Sequence, residues 1–502
     1  MNEAIPNGRA GRLAAEKAIR PALNYFQGPL ARPLSVFLGL LFFTLLARAQ
    51  TFGNPVLGFD EQYYLLVGDR MLQGAVPFVD IFDRKPIGLF LIYAAIRSLG
   101  GDGFVQYQIV ASCFVAATAF LIYRAARRLG DGFSAAIAAC LYILWLSLMD
   151  CEGGQAPIFY NLPVALAALL TLRAATTQRS TVALGCAAML FAGVAIQIKY
   201  TAIFEGCFFG LALLWARYRS DRRILPLAGT GLLWMGCALL PTALAALAYW
   251  HIGAWQAFLF ANFLSGFGRL PDPLLARFIG ILEIAAILSP LIGFAAFGPR
   301  SFGRDRIFIW IWLGVATFAV LAVGTYLNPH YAAPMLVPLA IAAAPGFSGS
   351  RRRHFTGLGL VALALVVGQA VIAFVTVQKG GRPEAMAVAD AARPRHGCLY
   401  VYDGYPALYL LTHSCLPTRW IFPGLFNAPR EASRGALGID PLAGERQVLQ
   451  SRPEVIVDVF PANPTTNAGT HALVTAALAR DYHLAAKIRI SEGNYQLVYR
   501  LN

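Results

Sequence analysis

The stretch that decides the fold lies in the first polar loop of an otherwise apolar chain, and it reads GFDEQYY at residues 58–64. A second polar run follows in the same loop and reads DIFDRKP at residues 80–86. Acids come first, then bases, then a proline directly before the next apolar run. A loop that only joined two helices would not need these residues, so we take this loop as the candidate site.

The composition is that of a membrane protein. Of 502 residues, 58% are hydrophobic and only 13% are charged, whereas a soluble domain carries about 25% charge. The net charge of +15 comes from arginines in short clusters between apolar runs, where they act as topology signals. The composition therefore predicts a polytopic membrane protein without a nucleic-acid partner.

Apolar runs of about 20 residues are needed to cross a bilayer as helices. We expect eleven spans, and the resulting transmembrane domain covers residues 34–377. The predicted spans are near residues 34–50, 104–123, 133–149, 158–175, 182–198, 201–216, 225–250, 276–297, 307–327, 331–347 and 355–377.

The arginine clusters predict the orientation. They fall in alternate loops, on the same side as the basic segment 1–33, which we interpret as a cytosolic amphipathic helix. The N-terminus is then cytoplasmic, the first loop 51–103 is outside, and the C-terminus is in the periplasm of a bacterial inner membrane. The apolar piece 87–99 is short for a crossing and is expected to lie along the interface.

The composition changes after residue 377, where residues 378–394 read as a linker and a small periplasmic α/β domain completes 378–502. Helical patterning covers residues 405–412 and 471–481. The sequence leaves open whether Cys398 and Cys415 form a disulfide. Strands are predicted at residues 398–402, 419–422, 454–459, 483–490 and 495–501.

The first loop resembles that of the GT-C glycosyltransferases that use polyprenyl-phosphate sugars, which include the protein O-mannosyltransferases and the lipid A aminoarabinose transferases (glycosyltransferase family 39-like). The resemblance rests on the pair Asp60 and Glu61 after the first span and on Lys85-Pro86 before the next apolar run. Many members have a second proline where this chain has Ile87. The resemblance implies a GT-C fold of about 11 transmembrane helices and an inverting sugar transfer.

By this resemblance Asp60 is the general base that removes the proton from an acceptor hydroxyl. Glu61 is expected to position the acceptor or to tune Asp60 through like-charge coupling. Tyr64, four residues after Asp60, shares its helical face. The alternative is a solvated pair of loop carboxylates.

Three cations are candidates for binding the lipid phosphate. Arg84 and Lys85 would stabilise the charge that develops on the leaving phosphate. Lys199 lies in a hairpin between two spans and breaks the positive-inside pattern on the outer side. The alternative for both lysines is an anchor to lipid headgroups.

The remaining candidates for substrate binding are His330 and Tyr331, which follow Asn328-Pro329, and Glu152. His330 and Tyr331 resemble a polar pair that opens a late span in relatives, but they are equally explained as the start of a helix. Glu152 is alternatively a hydrated acid in a glycine-rich loop.

The sequence therefore predicts a membrane glycosyltransferase that moves a sugar from a polyprenyl-phosphate donor to an envelope acceptor, which is a lipid, a glycan or a protein. The alternatives are a transporter or flippase for a polyprenyl-linked glycolipid and a non-catalytic partner in an envelope assembly. Transporters tend to place ionisable groups within broken helices, whereas here nearly all of them lie in outer loops. No cofactor other than the lipid-linked donor is identified, and assistance by a divalent cation is left open.

Overall fold

The computed structural model describes residues 33–177, 180–298, 303–324 and 328–502. The predicted amphipathic segment 1–33 lies, apart from its last residue, outside the described residues. Apolar runs without β-sheet partners form helices because a helix satisfies its own backbone hydrogen bonds.

The helical bundle consists of α1 to α14. Their bounds are α1 Pro33–Ala47, α2 Phe59–Leu72, α3 Ile87–Arg97, α4 Phe104–Ala126, α5 Gly132–Trp145, α6 Ala156–Ala174, α7 Thr181–Ile196, α8 Ile203–Ser220, α9 Ile224–His251, α10 Trp255–Leu259, α11 Leu274–Phe297, α12 Arg304–Val323, α13 Leu336–Phe347 and α14 Arg351–Lys379.

Each of the eleven predicted spans overlaps a helix of the bundle. Within the described residues, seven helical segments are long and apolar enough to cross a membrane, namely α4, α6, α9, α11, α12, Pro329–Phe347 and Arg351–Ala392. Helices α1, α3 and α7 and the segment Gly132–Leu148 are apolar but shorter. The protein is a polytopic membrane protein, and the count of eleven spans stays a prediction.

Three of the loops that carry arginine clusters meet at one end of the bundle, here named the arginine end. Arg128 forms an ion pair with Asp305 at 2.6 Å. Arg304 donates a hydrogen bond to the carbonyl of Ala175 at 2.8 Å. The alternation seen in the sequence therefore separates two ends of the bundle, and the first loop lies at the other one.

A small α/β domain follows the bundle. It contains β1 Leu399–Val401, β2 Val455–Phe460, β3 Tyr482–Ser491 and β4 Asn494–Leu501, in the order β1-β2-β4-β3. Strands β1 and β2 are parallel, with Val401 opposite Val457, and the other pairs are antiparallel. Its helices are α15 Arg382–Ala392, α16 Leu408–Leu411, α17 Gly424–Asn427, α18 Arg434–Leu437, α19 Pro441–Gln450 and α20 Ala468–Asp481.

Two expectations for this domain were wrong. The predicted linker contains α15, whose residues Ala385, Val388, Ala389 and Ala392 are buried at helical spacing and pack against β3 and β4. Residues 419–422 form no strand. The carbonyl of Arg419 instead accepts a hydrogen bond from the backbone N–H of Phe82 at 2.9 Å, so this segment pairs with the first loop.

The disulfide that the sequence left open is present between Cys398 and Cys415. It joins the start of β1 to the turn after α16. Beyond it, Phe422 contacts the rings of Phe59 and Tyr63, with centroid distances of 5.0 and 4.9 Å. The α/β domain is thus docked on α2, the helix that carries the acidic pair.

Candidate active site

Helix α2 carries the acidic pair at its first turn. Gly58 is the N-cap, and Asp60 and Glu61 follow in the first turn, where negative charge is favoured by the helix dipole. The helix lies very close to α3, because a Cβ atom added at Gly68 would come within 2.6 Å of the carbonyl carbon of Tyr93. This close packing fixes the position of Asp60 and Glu61 at the start of α2.

A cavity of about 760 Å³, here named the central cavity, lies between the bundle and the α/β domain. It brings together eight of the nine predicted site residues, and the hydroxyl of the ninth, Tyr64, donates a hydrogen bond to Asp60 at 3.0 Å. The eight lining residues are Asp60, Glu61, Arg84, Lys85, Glu152, Lys199, His330 and Tyr331.

Asp60 is held at the cavity wall by three neighbours. Besides Tyr64, its Oδ2 accepts a hydrogen bond from Gln155 Nε2 at 3.4 Å and lies 3.9 Å from Lys85 Nζ. Burial would raise the pKa of Asp60, but the positive charge of Lys85 and the hydrogen bond from Tyr64 contribute to lowering it to about 2. Asp60 is therefore ionised throughout the ordinary pH range.

Lys85 is placed between two carboxylates and an aromatic ring. Its Nζ lies 3.8 Å from Asp83 Oδ1 and 5.1 Å from the centre of the Tyr64 ring. Burial would lower the pKa of Lys85, but the charges of Asp83 and Asp60 raise it above its ordinary value. Lys85 is thus a permanent cation next to the acid.

Arg84 lines the same cavity, but its guanidinium is engaged by protein groups. Its Nε donates to Ser265 Oγ at 2.6 Å, its Nη2 donates to the carbonyl of Ala436 at 2.9 Å, and its Nη1 pairs with Glu431. These contacts join the first loop to the 260–268 segment and to the α/β domain. The expected contact of Arg84 with a phosphate stays a prediction.

Lys199 contacts the aromatic ring of Tyr331 in the central cavity. Its Nζ lies 4.5 Å from the centre of the Tyr331 ring, and that ring packs against His330 with a centroid distance of 4.4 Å. Burial, and next the positive charge of Lys85, lower the pKa of Lys199 to about 7. The side chain of Lys199 therefore lines the central cavity.

Two buried acids line another part of the cavity. The side chains of Glu61 and Glu152 are 1% and 3% exposed, and one carboxylate oxygen of each has no hydrogen-bond partner in the described chain. Burial, and next the charge of Asp60, raise the pKa of Glu61 to about 8. Beneath them the buried Arg48 donates to the carbonyls of Cys151 and Glu152 at 3.0 and 2.6 Å.

Five further charged residues line the cavity, and sequence reasoning named none of them as site residues, namely Asp83, Asp150, Arg269, Lys379 and Glu431. Arg269 lies in a loop predicted to be outside and breaks the positive-inside pattern as Lys199 does, so the same criterion would have found it. Glu431 carries no such signal. Among the described residues, no group of three or more His, Cys, Asp or Glu side chains is arranged to hold a metal ion.

The fold resembles that of ArnT from Cupriavidus metallidurans. The apo structure superposes with a TM-score of 0.62 at 14% identity, over 93% of this chain and 97% of that chain. The chain has an ArnT-like GT-C fold. ArnT bound to undecaprenyl phosphate superposes with a TM-score of 0.60, at 14% identity over 94% of this GT-C chain and 98% of that one.

Two further comparisons concern other GT-C proteins. The arabinofuranosyltransferase AftD from Mycobacteria matches with a TM-score of 0.51 at 13% identity, over 94% of this chain and 40% of AftD. Residues 84–240 match the family model of the dolichyl-phosphate-mannose-protein mannosyltransferases. No curated protein sequence matches significantly. The predicted relation to GT-C glycosyltransferases is confirmed, and a transporter is not favoured.

Proposed function

We propose that this GT-C chain is a glycosyltransferase that moves a sugar from a polyprenyl-phosphate donor to a cell-envelope acceptor with inversion. The observation that carries the proposal is the central cavity, where Asp60 faces the cations Lys85, Lys199 and Arg269. A carboxylate can activate the acceptor hydroxyl as a general base, and a neighbouring cluster of cations can stabilise the leaving phosphate.

Lys85, Lys199 and Arg269 bind the donor phosphate together with the hydroxyl of Tyr331. In a partly desolvated cavity these charges act more strongly than in water. A small second cavity shares Lys199 and Tyr331 with the central one and continues between α6, α8 and α12 past Ala319 and Pro334. The ArnT complex with undecaprenyl phosphate supports this choice of donor.

In the reaction, the Asp60 carboxylate accepts the proton of the acceptor hydroxyl. The hydroxyl oxygen forms a bond to the anomeric carbon while the bond from that carbon to the phosphate oxygen breaks. The polyprenyl phosphate leaves with the electron pair, and Lys85 and Lys199 stabilise its charge. When Lys85 turns toward the phosphate, Asp60 loses its closest cation and becomes a stronger base.

The remaining roles follow from position. Glu61 and Glu152, which line the cavity, contact the sugar or the acceptor, and Tyr64 orients Asp60. His330 holds the Tyr331 ring. We place the transmembrane domain 34–377 in the bacterial inner membrane with its N-terminus inside, and the domain 378–502 in the periplasm.

The test is a transfer assay with purified protein in liposomes and a labelled polyprenyl-phosphate sugar. Asp60→Asn keeps the size and hydrogen bonding of the side chain but accepts no proton. Transfer should fall by about 10²–10⁴-fold while the donor still binds. Lys85→Ala is the matched variant that should weaken donor binding.

Two outcomes would contradict these assignments. Equal transfer by wild type and Asp60→Asn would end the role of Asp60 as the base. Movement of the donor lipid across the liposome membrane without formation of a glycosidic bond would replace the transferase by a flippase.

A further inference from the structure

The α/β domain reaches into the central cavity through one buried carboxylate. Glu431 lies in the 428–438 segment, and its side chain is only 14% exposed. One oxygen pairs with Arg84 and the other pairs with Arg269. A single acid therefore holds two arginines that come from different parts of the bundle.

Several other contacts fix the 428–438 segment against the 260–272 segment. The backbone N–H of Leu270 donates to the carbonyl of Arg430 at 3.0 Å. Arg430 pairs with Asp272 at 2.7 Å, and neither residue lines the cavity. A Cβ atom added at Gly268 would collide with the backbone of Gly435, so the two segments are in direct backbone contact. Glu431 is held rigidly where it meets the arginines.

The two arginines depend on Glu431 to different degrees. Arg84 is also bound by Ser265 and by the carbonyl of Ala436. Within the described residues, Glu431 is the one hydrogen-bond partner of the Arg269 guanidinium, whose Nε has no partner. Without Glu431 the Arg269 side chain would lose its fixed direction. With Glu431 it keeps free donors for an anion in the cavity.

We infer that Glu431 is a positioning residue, through which the α/β domain directs Arg269 toward the phosphate of the lipid-linked donor. This inference rests on the proposed function. The carboxylate fixes one edge of the guanidinium and leaves another to the ligand, in the way that fixed partners orient the side chains of preorganised sites. The α/β domain is then a part of the donor site. Its contact with Arg269 positions a phosphate-binding cation in addition to docking the domain on the bundle.

The experiment measures binding of a synthetic polyprenyl phosphate without sugar to the purified full-length protein, together with the KM and kcat for the sugar donor. Glu431→Gln should weaken binding about three- to tenfold and raise KM, with a smaller effect on kcat. Arg382→Gln is the matched control, because it breaks the exposed ion pair between Arg382 in α15 and Asp102 in the first loop, which also joins the α/β domain to the bundle but does not involve Arg269. It should leave binding within about twofold of wild type.

A double-mutant cycle tests whether Glu431 acts through Arg269. In an Arg269→Ala background, Glu431→Gln should weaken binding no further. Equal effects of Glu431→Gln and Arg382→Gln, or additive effects in the cycle, would overturn the inference and make Glu431 a docking residue.

The cycle also separates this inference from the proposed function. If Arg269→Ala and Lys85→Ala both bind the polyprenyl phosphate as tightly as wild type, the proposed donor site is wrong, and the role of Glu431 falls with it. If those two variants bind weakly while Glu431→Gln binds normally, only the role of Glu431 is wrong. Thermal unfolding of each variant checks that the fold is retained.

Discussion

At the residue scale, Lys199 is the cation whose charge changes within the usual assay range. With a pKa of about 7 it is charged below that pH and neutral above it. Because the donor phosphate needs the charge, the KM for the donor should rise as the pH is raised through about 7. The measurement is the KM at a series of pH values in wild type and in Lys199→Arg, whose guanidinium stays charged.

The other charged groups that influence Lys199 are Lys85, Asp60, Arg269 and Asp83, and Lys85 and Asp60 keep their charges in this range. Glu61 ionises near pH 8 and adds a negative charge to the cavity, so Lys199→Arg should retain a weaker rise above that pH. If the KM of Lys199→Arg rises near pH 7 as it does in wild type, the pH dependence belongs to a different group.

At the element scale, the close contact between α2 and α3 determines the position of Asp60 in the cavity. Gly68→Ala would place a Cβ atom 2.6 Å from backbone of α3, and overpacking of this kind costs about 1–3 kcal/mol. We expect a lower melting temperature and reduced transfer, since α2 must move. Thermal unfolding and the transfer assay check this.

The matched control is Gly39→Ala in α1, where an added Cβ would meet no atom within 4 Å. Replacing a helical glycine there should be neutral or stabilising by up to about 1 kcal/mol. If both variants unfold at the wild-type temperature, the tight approach of α2 to α3 is not a constraint.

The elements also show what the sequence could predict. Apolar runs long enough to cross a bilayer located the bundle helices, and short runs located four of the strands, because both signals are local. Helix α15 was missed because its apolar face consists mainly of alanines among charges. The segment 419–422 has the composition of a strand, but its backbone pairs with the first loop instead of the sheet.

Prediction of the cavity had a similar limit. Charged residues that contradict the expected side of the membrane, such as Lys199, stand out in the sequence itself. Glu431 does not, because its importance comes from Arg269 and Arg84, which lie 162 and 347 residues away. Only the folded chain brings these three side chains together.

At the scale of the whole molecule, the prediction concerns orientation. The arginine end should face the cytoplasm and the α/β domain should face the periplasm. A reporter that works only outside should be active when fused after Asn502 and inactive when fused at Arg352. An inactive reporter in the first fusion would place Asn502 in the cytoplasm and would mean that the number of spans is not eleven.

The pairing of Arg84 with Glu431 has a consequence for biosynthesis. The residues of the first loop are translated long before the 428–438 segment that completes the cavity wall. During that interval the bundle can insert into the membrane while the wall is still missing. The newly made protein should therefore acquire tight donor binding in a late step, after the α/β domain has folded onto the bundle.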